Sequence, residues 1–224
     1  MLSTRPLALL LCLGLTGCAG FFDKSDKAEK PAVPEINQKV TQAWLDEYEP
    51  RLREALKDSR FELERRENVL VITAPVDGSF NPDRPNMLLP VTLGPFTRVA
   101  KMLEQDPRTA VLVLGHADSS GSLEANRKLS EDRAKAVAAI FRLSGLQRDR
   151  LLLKGVGPDM PRAANDSVEG RALNRRVEMV LTPQDTLVAL LVQYSNPAPA
   201  SAPVPAVVVA DKAAPGQTKK ALAK

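Results

Sequence analysis

The feature that most constrains the fold is an apolar run that passes through a short polar turn into a long amphipathic helix, between residues 111 and 138. Continuous branched and apolar residues predict a buried strand, and Asp118 follows it in a Gly/Ser turn. The predicted helix contains Asn126 and Arg133, which are seven residues apart. Because seven residues are two helical turns, both side chains share one face.

Periodicity and turn residues predict further elements around this unit. Two strands flank the turn Glu67-Asn68, and a helix follows over Thr92–Glu104 with Pro95 in its first turn. A strand over Ala110–Leu114 then precedes a helix over Ser122–Leu143 that ends before Gly145. The last elements are a strand over Arg150–Lys154, a polar loop over 158–173 and a half-buried strand over Arg176–Leu181. This order of strands and helices predicts an α/β fold, a two-layer sandwich of helices packed on a mixed β-sheet.

Two further segments flank this domain, which we place at residues 59–184. Residues 38–58 form one or two amphipathic helical segments, broken before Pro50. Trp44 and Tyr48 are spaced as helix neighbours, and we expect them to pack on the domain, with glycan binding as the alternative. The apolar segment 185–195 is far shorter than the roughly 20 residues of a membrane span, which predicts a docking helix or strand.

Three motifs in the correct order resemble the C-terminal domain of the OmpA family, whose members include peptidoglycan-binding modules. The motifs are Gly115-His116-Ala117-Asp118, then Asn126 with Leu129-Ser130 and Arg133-Ala134, and finally Asn174-Arg175-Arg176-Val177-Glu178. The resemblance covers about residues 60 to 183 and implies the βαβαβ arrangement of that family.

The resemblance also implies a ligand, the free α-centre of meso-diaminopimelate in a peptidoglycan stem, which has a carboxylate and an ammonium on one carbon. Arg133 matches the family position that grips the carboxylate and Asp118 the one that accepts the ammonium protons, in agreement with ordinary ion-pair chemistry. Asn126, Asn174, Arg175 and Arg176 match polar positions that line or brace the same pocket. The alternative is that Asp118 caps the turn before the helix and Arg133 forms a surface ion pair.

The start of the chain has the pattern of a bacterial lipoprotein signal. Arg5 precedes an apolar run too short for a membrane span, which ends in the tetrad Leu15–Cys18. The tetrad resembles a lipobox, so residues 1–17 are predicted as the signal peptide and Cys18 as the lipidated residue. Residues 18–37 are polar and proline-punctuated, as in a flexible tether. Ala19 after the cysteine favours outer-membrane sorting by resemblance to enterobacterial lipoproteins.

Composition argues against several other functions. The chain has one histidine, His116, so a multi-histidine zinc site is excluded, and we expect no metal and no cofactor. His116, Asp118 and Ser119 combine the residue types of a hydrolase triad, but neighbouring strand residues alternate faces, and we predict that the protein is not an enzyme. We expect His116 to be a packing or hydrogen-bonding residue beneath the pocket.

Charges are mixed along the chain, which gives no sign of nucleic-acid binding. Residues 196–224, rich in Pro, Ala and Lys, are predicted to be a disordered basic tail.

We therefore expect a non-catalytic lipoprotein that is anchored in the outer membrane by lipid, faces the periplasm and holds peptidoglycan non-covalently. The alternative is an assembly or signalling subunit of the envelope whose domain positions a protein partner at the wall.

Overall fold

The computed structural model describes residues 38–195 of the 224-residue chain. The predictions for the signal peptide, Cys18, the tether and the C-terminal tail lie outside the described residues. Within them the chain forms α1 (Gln38–Ala55), β1 (Glu62–Arg66), β2 (Val69–Pro75), α2 (Pro90–Glu104), β3 (Thr109–His116), α3 (Leu123–Leu143), β4 (Leu151–Gly157), α4 (Val168–Asn174), β5 (Arg176–Pro183) and α5 (Leu187–Ser195). Short 3₁₀ turns precede β4 at Arg148–Arg150 and α5 at Gln184–Thr186.

The five strands form one mixed sheet in the order β1-β2-β5-β3-β4. Strands β3 and β4 are parallel, whereas β5 lies between β2 and β3 and is antiparallel to both. The predicted α/β fold with helices on a mixed sheet is therefore confirmed. One consequence matters for the site: β2 and β3 end at the edge of the sheet where β5 begins, since Pro75 pairs with Arg176 and Gly115 with Val177.

Both faces of the sheet are covered. Val113, Val177 and Met179 point to the face that packs against α1, α2 and α3. Leu112 and Val180 point to the opposite face, where they pack with Leu187 and Leu190 of α5. Burial on both sides explains the continuous apolar sequence of β3.

Of the two alternatives for the apolar segment after β5, a docking helix or a strand, the structure has a helix, α5, whose Leu187 and Leu190 are buried. No helix within residues 38–195 is long and apolar enough to cross a membrane.

The predicted helix break before Pro50 is wrong, because α1 continues through that residue to Ala55. A proline inside a helix removes one backbone hydrogen bond and costs about 3 kcal/mol. Tyr48 and Leu52, on either side of it, are fully buried, and burying two such side chains contributes a comparable stabilisation of roughly 1.5–3 kcal/mol each. The tertiary packing of α1 therefore outweighs the local preference of Pro50.

Two other elements differ from the predicted boundaries. Helix α2 begins at Pro90, two residues earlier than predicted, and Pro95 consequently lies beyond its first turn. The segment predicted as a polar loop contains the helix α4. Ser167 caps this helix, with its hydroxyl accepting a hydrogen bond from the Gly170 amide.

Two glycines allow α3 to lie directly on the sheet. A Cβ atom at Gly115 would stand 1.8 Å from the Ser130 carbonyl oxygen, and one at Gly155 would stand 2.5 Å from the Glu131 amide nitrogen. The Ser130 hydroxyl accepts a hydrogen bond of 3.0 Å from the amide of Gly157, which fixes the helix against β4. This close approach sets the distance between α3 and the residues that follow β3.

Candidate ligand-binding site

Asp118 follows the end of β3, and two neighbours hold its carboxylate. Its Oδ1 accepts a hydrogen bond from the Ser120 amide at 2.9 Å, and its Oδ2 accepts one from Arg175 Nη1 at 2.9 Å. Burial alone would raise the pKa of this carboxyl, but the bonds from Arg175 and Ser120 outweigh it and lower the pKa. Asp118 is therefore ionised at neutral pH. A carboxylate has about four lone-pair positions, so these bonds leave acceptor capacity for a ligand.

Asn126 fixes the backbone on either side of this carboxylate. Its Nδ2 donates to the carbonyl oxygens of Asp118, at 3.1 Å, and Ser120, at 2.7 Å. The amide group of Asn126 therefore fixes the turn between β3 and α3, while Ser122 caps the helix by accepting from the Ala125 amide. The predicted proximity of Asp118 and Asn126 is observed.

Arg133 lies on the same face of α3, and only 5% of its surface is exposed. Its Nε donates to the Pro85 carbonyl oxygen at 2.8 Å, and its guanidinium lies 5.7 Å from the centre of the Phe80 ring. Burial first, and then the positive charge of Arg175, lower its pKa, whereas Asp118 and Asp77 raise it.

Within residues 38–195, no carboxylate oxygen lies within 4.0 Å of a nitrogen of Arg133. In the same part of the chain, neither of its terminal nitrogens donates a hydrogen bond. Arg133 is consequently a largely buried cation without a direct ion pair in this part of the chain, and its terminal nitrogens remain accessible to solvent.

Arg175 connects Asp118 to a second carboxylate that the sequence analysis did not include. Its Nη2 donates to Asp77 Oδ2 at 2.7 Å while its Nη1 donates to Asp118. Asp77 follows β2, Asp118 follows β3 and Arg175 precedes β5, so all three meet at the edge described above. In the sequence, Asp77 is marked only by its position directly after a predicted strand. Its pairing with Arg175 depends on β5 lying between β2 and β3.

Asn174 lies behind the site, and protein groups occupy all the hydrogen-bonding positions of its side-chain amide. Its Oδ1 accepts from the amides of Arg162 and Ala163, and its Nδ2 donates to the Ala163 carbonyl and to Asn165 Oδ1. Asn165 Oδ1 in turn accepts from the Ser119 amide at 3.1 Å. Asn174 therefore positions the loop beside Asp118, and Asn165 is a bracing residue that the sequence reasoning missed.

Arg176 lies on the opposite face of the sheet and does not contact Asp118. Its Nε donates to Glu178 Oε1 at 2.8 Å, and Glu178 Oε2 lies 3.6 Å from His116 Nε2. His116 is buried, which lowers its pKa and keeps it neutral. His116 is thus a buried packing residue, but it lies beside Glu178 on the second face of the sheet rather than beneath the pocket.

The structure therefore brings Asp118, Asn126, Arg133 and Arg175 to one edge of the sheet, with Asn174 behind them and Arg176 apart. A fixed carboxylate and an unpaired buried guanidinium suit a ligand that has both an ammonium and a carboxylate. Residues 38–195 hold no group of three or more His, Cys, Asp or Glu side chains arranged to bind a metal ion.

Comparison with known proteins places this geometry in a family. Residues 80–175 match the OmpA family. The probable lipoprotein YiaD of Escherichia coli is 34% identical over 140 residues, which are 62% of this chain and 64% of that protein. The peptidoglycan-binding protein ArfA of Mycobacterium bovis is 39% identical over 94 residues, which are 42% of this chain and 29% of that protein. The chain thus spans less than two thirds of the length of either relative.

Among solved structures, the cell wall anchor of the T6SS from Pseudomonas aeruginosa is similar with a TM-score of 0.53 and 31% identity, over 60% of this chain and 98% of that one. The similarity therefore extends to the arrangement of the strands and helices. Residues 80–175, which include Asp118, Asn126, Arg133, Asn174 and Arg175 but neither Asp77 nor Arg176, form a domain of the OmpA family.

Proposed function

We propose that this protein is a non-catalytic lipoprotein that binds peptidoglycan through the free α-centre of diaminopimelate. The observation that supports the proposal most strongly is Arg133, a buried guanidinium with no carboxylate partner among residues 38–195, near the ionised Asp118. A largely buried cation without a direct anion partner, whose terminal nitrogens are still accessible, is suited to bind a ligand carboxylate. The similarity to the peptidoglycan-binding protein ArfA and to a cell wall anchor supports a wall ligand.

The ligand fits the site by charge and by hydrogen-bonding pattern. The terminal nitrogens of Arg133 bind the α-carboxylate, because a guanidinium grips a carboxylate with two parallel hydrogen bonds. Asp118 accepts protons from the α-ammonium through the lone pairs that Arg175 and Ser120 leave unused. Arg175 remains bonded to Asp77 and fixes the orientation of Asp118.

The anchor in this proposal is Cys18, lipidated and placed at the mature N-terminus. Residues 18–37 then link the lipid to the domain, and at roughly 3.3 Å per extended residue they reach several tens of Å. Ala19 after the cysteine favours the outer membrane, and the similarity to the probable lipoprotein YiaD supports a lipid anchor. Such a protein tethers the outer membrane to the cell wall.

Co-sedimentation with purified sacculi tests the binding proposal. Asp118→Ala and Arg133→Ala should each release the protein, because removing one member of a desolvated charge pair costs about 2–5 kcal/mol, roughly 30-fold or more in affinity. The matched controls are Asp159→Ala and Arg127→Ala, which break an exposed ion pair of 2.9 Å with the same changes of charge. Site variants that sediment like the controls would show that the ligand binds elsewhere.

A second candidate is an envelope assembly subunit that uses the same domain to position a protein partner at the wall. The observation that favours it is the similarity to a cell wall anchor of a secretion system. Affinity purification after crosslinking, with and without lysozyme digestion of the wall, separates the two. Partner proteins that remain after digestion favour the assembly subunit, and their complete loss favours wall binding alone.

A further inference from the structure

Arg175 lies between two carboxylates, and each of its three guanidinium nitrogens donates to one of them. Its Nε and Nη2 donate to the two oxygens of Asp77, at 3.3 and 2.7 Å, while its Nη1 donates to Asp118 Oδ2 at 2.9 Å. The backbone joins the same segments, since the Val76 amide donates to the Arg175 carbonyl oxygen at 2.9 Å. Within residues 38–195, Arg133 is therefore the guanidinium of the site whose terminal nitrogens are available to a ligand.

Asp77 is not needed at this position for packing. Its side chain is 58% exposed, and an exposed ion pair contributes little to stability. Its charge nevertheless reaches the pocket. Burial lowers the pKa of Arg133 most and the positive charge of Arg175 lowers it further, whereas Asp118 and Asp77 both raise it. The four side chains therefore form one electrostatic unit.

This unit is balanced in charge. The guanidinium groups of Arg133 and Arg175 are matched by the carboxylates of Asp118 and Asp77. An α-centre that has one ammonium and one carboxylate is balanced in the same way. Without the charge of Asp77, the site would have one uncompensated positive charge, which attracts a carboxylate and repels an ammonium. Such a site would favour a simple anion over a zwitterion.

We propose that Asp77 determines ligand specificity, because its charge makes the site select an α-centre with an ammonium over a ligand that has only carboxylates. Asp77 acts through Arg175 rather than by touching the ligand. It engages two nitrogens of Arg175 that would otherwise attract a carboxylate, and it neutralises the charge that would repel the ammonium. Specificity is a difference between two affinities, and here Asp77 weakens binding of the wrong ligand. The inference rests on the proposed function, since it takes the α-centre of diaminopimelate as the ligand.

Pimelate and meso-diaminopimelate are a matched pair of probes, because pimelate is the same dicarboxylate chain without the ammonium groups. The experiment titrates each compound into the ¹⁵N-labelled polypeptide from Ala19 to Lys224 at physiological ionic strength. The reporter is the Ser120 amide signal, since this amide donates to Asp118 Oδ1. The ratio of the two dissociation constants, pimelate over meso-diaminopimelate, measures the selectivity.

The parent protein should bind meso-diaminopimelate more tightly than pimelate. Asp77→Asn keeps the shape of the side chain and removes its charge, so the ratio should fall about threefold to tenfold, the effect of one partly screened unit charge nearby. The affinity for pimelate itself should rise. Asp77→Glu keeps the charge and should keep most of the preference. The matched control, Asp159→Asn, removes the same charge from the exposed pair with Arg127 and should leave the ratio unchanged.

The outcomes separate this inference from the proposed function. A parent that binds meso-diaminopimelate, together with an unchanged ratio in Asp77→Asn, would overturn the inference alone. Equal weakening of both ligands would give that result and would mean that Asp77 has only a structural role. An equal fall of the ratio in Asp159→Asn would also overturn the inference, because net charge alone would then explain it. A parent that does not bind meso-diaminopimelate would overturn the proposed function and the inference with it.

Discussion

Arg133 and Arg176 are a natural matched pair for separating function from stability. Each side chain is buried, with 5% of the residue exposed in both cases. Arg176 has a carboxylate partner, Glu178, at 2.8 Å, whereas no carboxylate within residues 38–195 pairs with Arg133. Replacing each by methionine keeps most of the side-chain volume and removes the charge. We expect opposite consequences for stability and for ligand binding.

The magnitudes follow from the contacts. Arg133→Met loses one hydrogen bond from a charged group, about 1.5–3 kcal/mol, and a cation–π contact of about 0.5–1 kcal/mol. It also removes the desolvation penalty of a largely buried ion without a direct partner, which offsets these losses, so the net change should lie within about 1 kcal/mol of zero. Arg176→Met leaves the buried Glu178 without its main partner and should cost about 3 kcal/mol, the lower end of the range because Arg66 remains 3.7 Å away.

Thermal denaturation followed by circular dichroism measures the difference. A domain of this size shifts its midpoint by about 2–4 °C per kcal/mol, so Arg176→Met should melt roughly 6–12 °C below the parent and Arg133→Met within a few degrees of it. Sacculus binding should be lost in Arg133→Met and kept in the folded fraction of Arg176→Met. Equal destabilisation by the two substitutions would refute the reasoning, because Arg133 would then be a structural residue.

Three further predictions concern the helix, the carboxylate and the anchor. Gly115→Ala places a Cβ 1.8 Å from the Ser130 carbonyl and should destabilise the domain by about 1–3 kcal/mol or more in urea titrations, whereas Gly94→Ala, inside α2, should not. Since the pKa of Asp118 is lowered on folding, the stability difference between the parent and Asp118→Asn should be constant above about pH 5. It should shrink as the pH falls below about 3.9, and a difference that persists at lower pH would contradict the assignment. Cys18→Ser should abolish labelling with radioactive palmitate in whole cells, and continued labelling would exclude Cys18 as the lipidated residue.

Local sequence patterns were sufficient to predict that three of the candidate residues lie close together. Asp118, Asn126 and Arg133 come from one strand, one turn and one helix, so their proximity depends on helix periodicity and on a short connection. The α/β class follows equally from the order of strands and helices. These are the parts of the fold in which neighbours in sequence are neighbours in space.

What the sequence did not reveal depends on contacts between distant segments. The pairing of Asp77 with Arg175 requires β5 to lie between β2 and β3, and no local pattern specifies that order of strands. The separation of Arg175 from Arg176, in contrast, could have been predicted, because consecutive residues at the start of a strand point to opposite faces. Pro50 was misread because the burial of α1 on the domain is a tertiary effect.

Competition for sacculus binding tests the central claim most directly. The measurement uses the chain without residues 196–224, at raised salt, so that screening removes general cationic attraction but affects a shielded pocket much less. Free meso-diaminopimelate should displace the protein from sacculi. Lysine, which lacks the second α-centre, should not, and Asp118→Ala should show no binding to displace. Equal displacement by lysine, or loss of all binding once the tail is removed, would contradict recognition of diaminopimelate at this site.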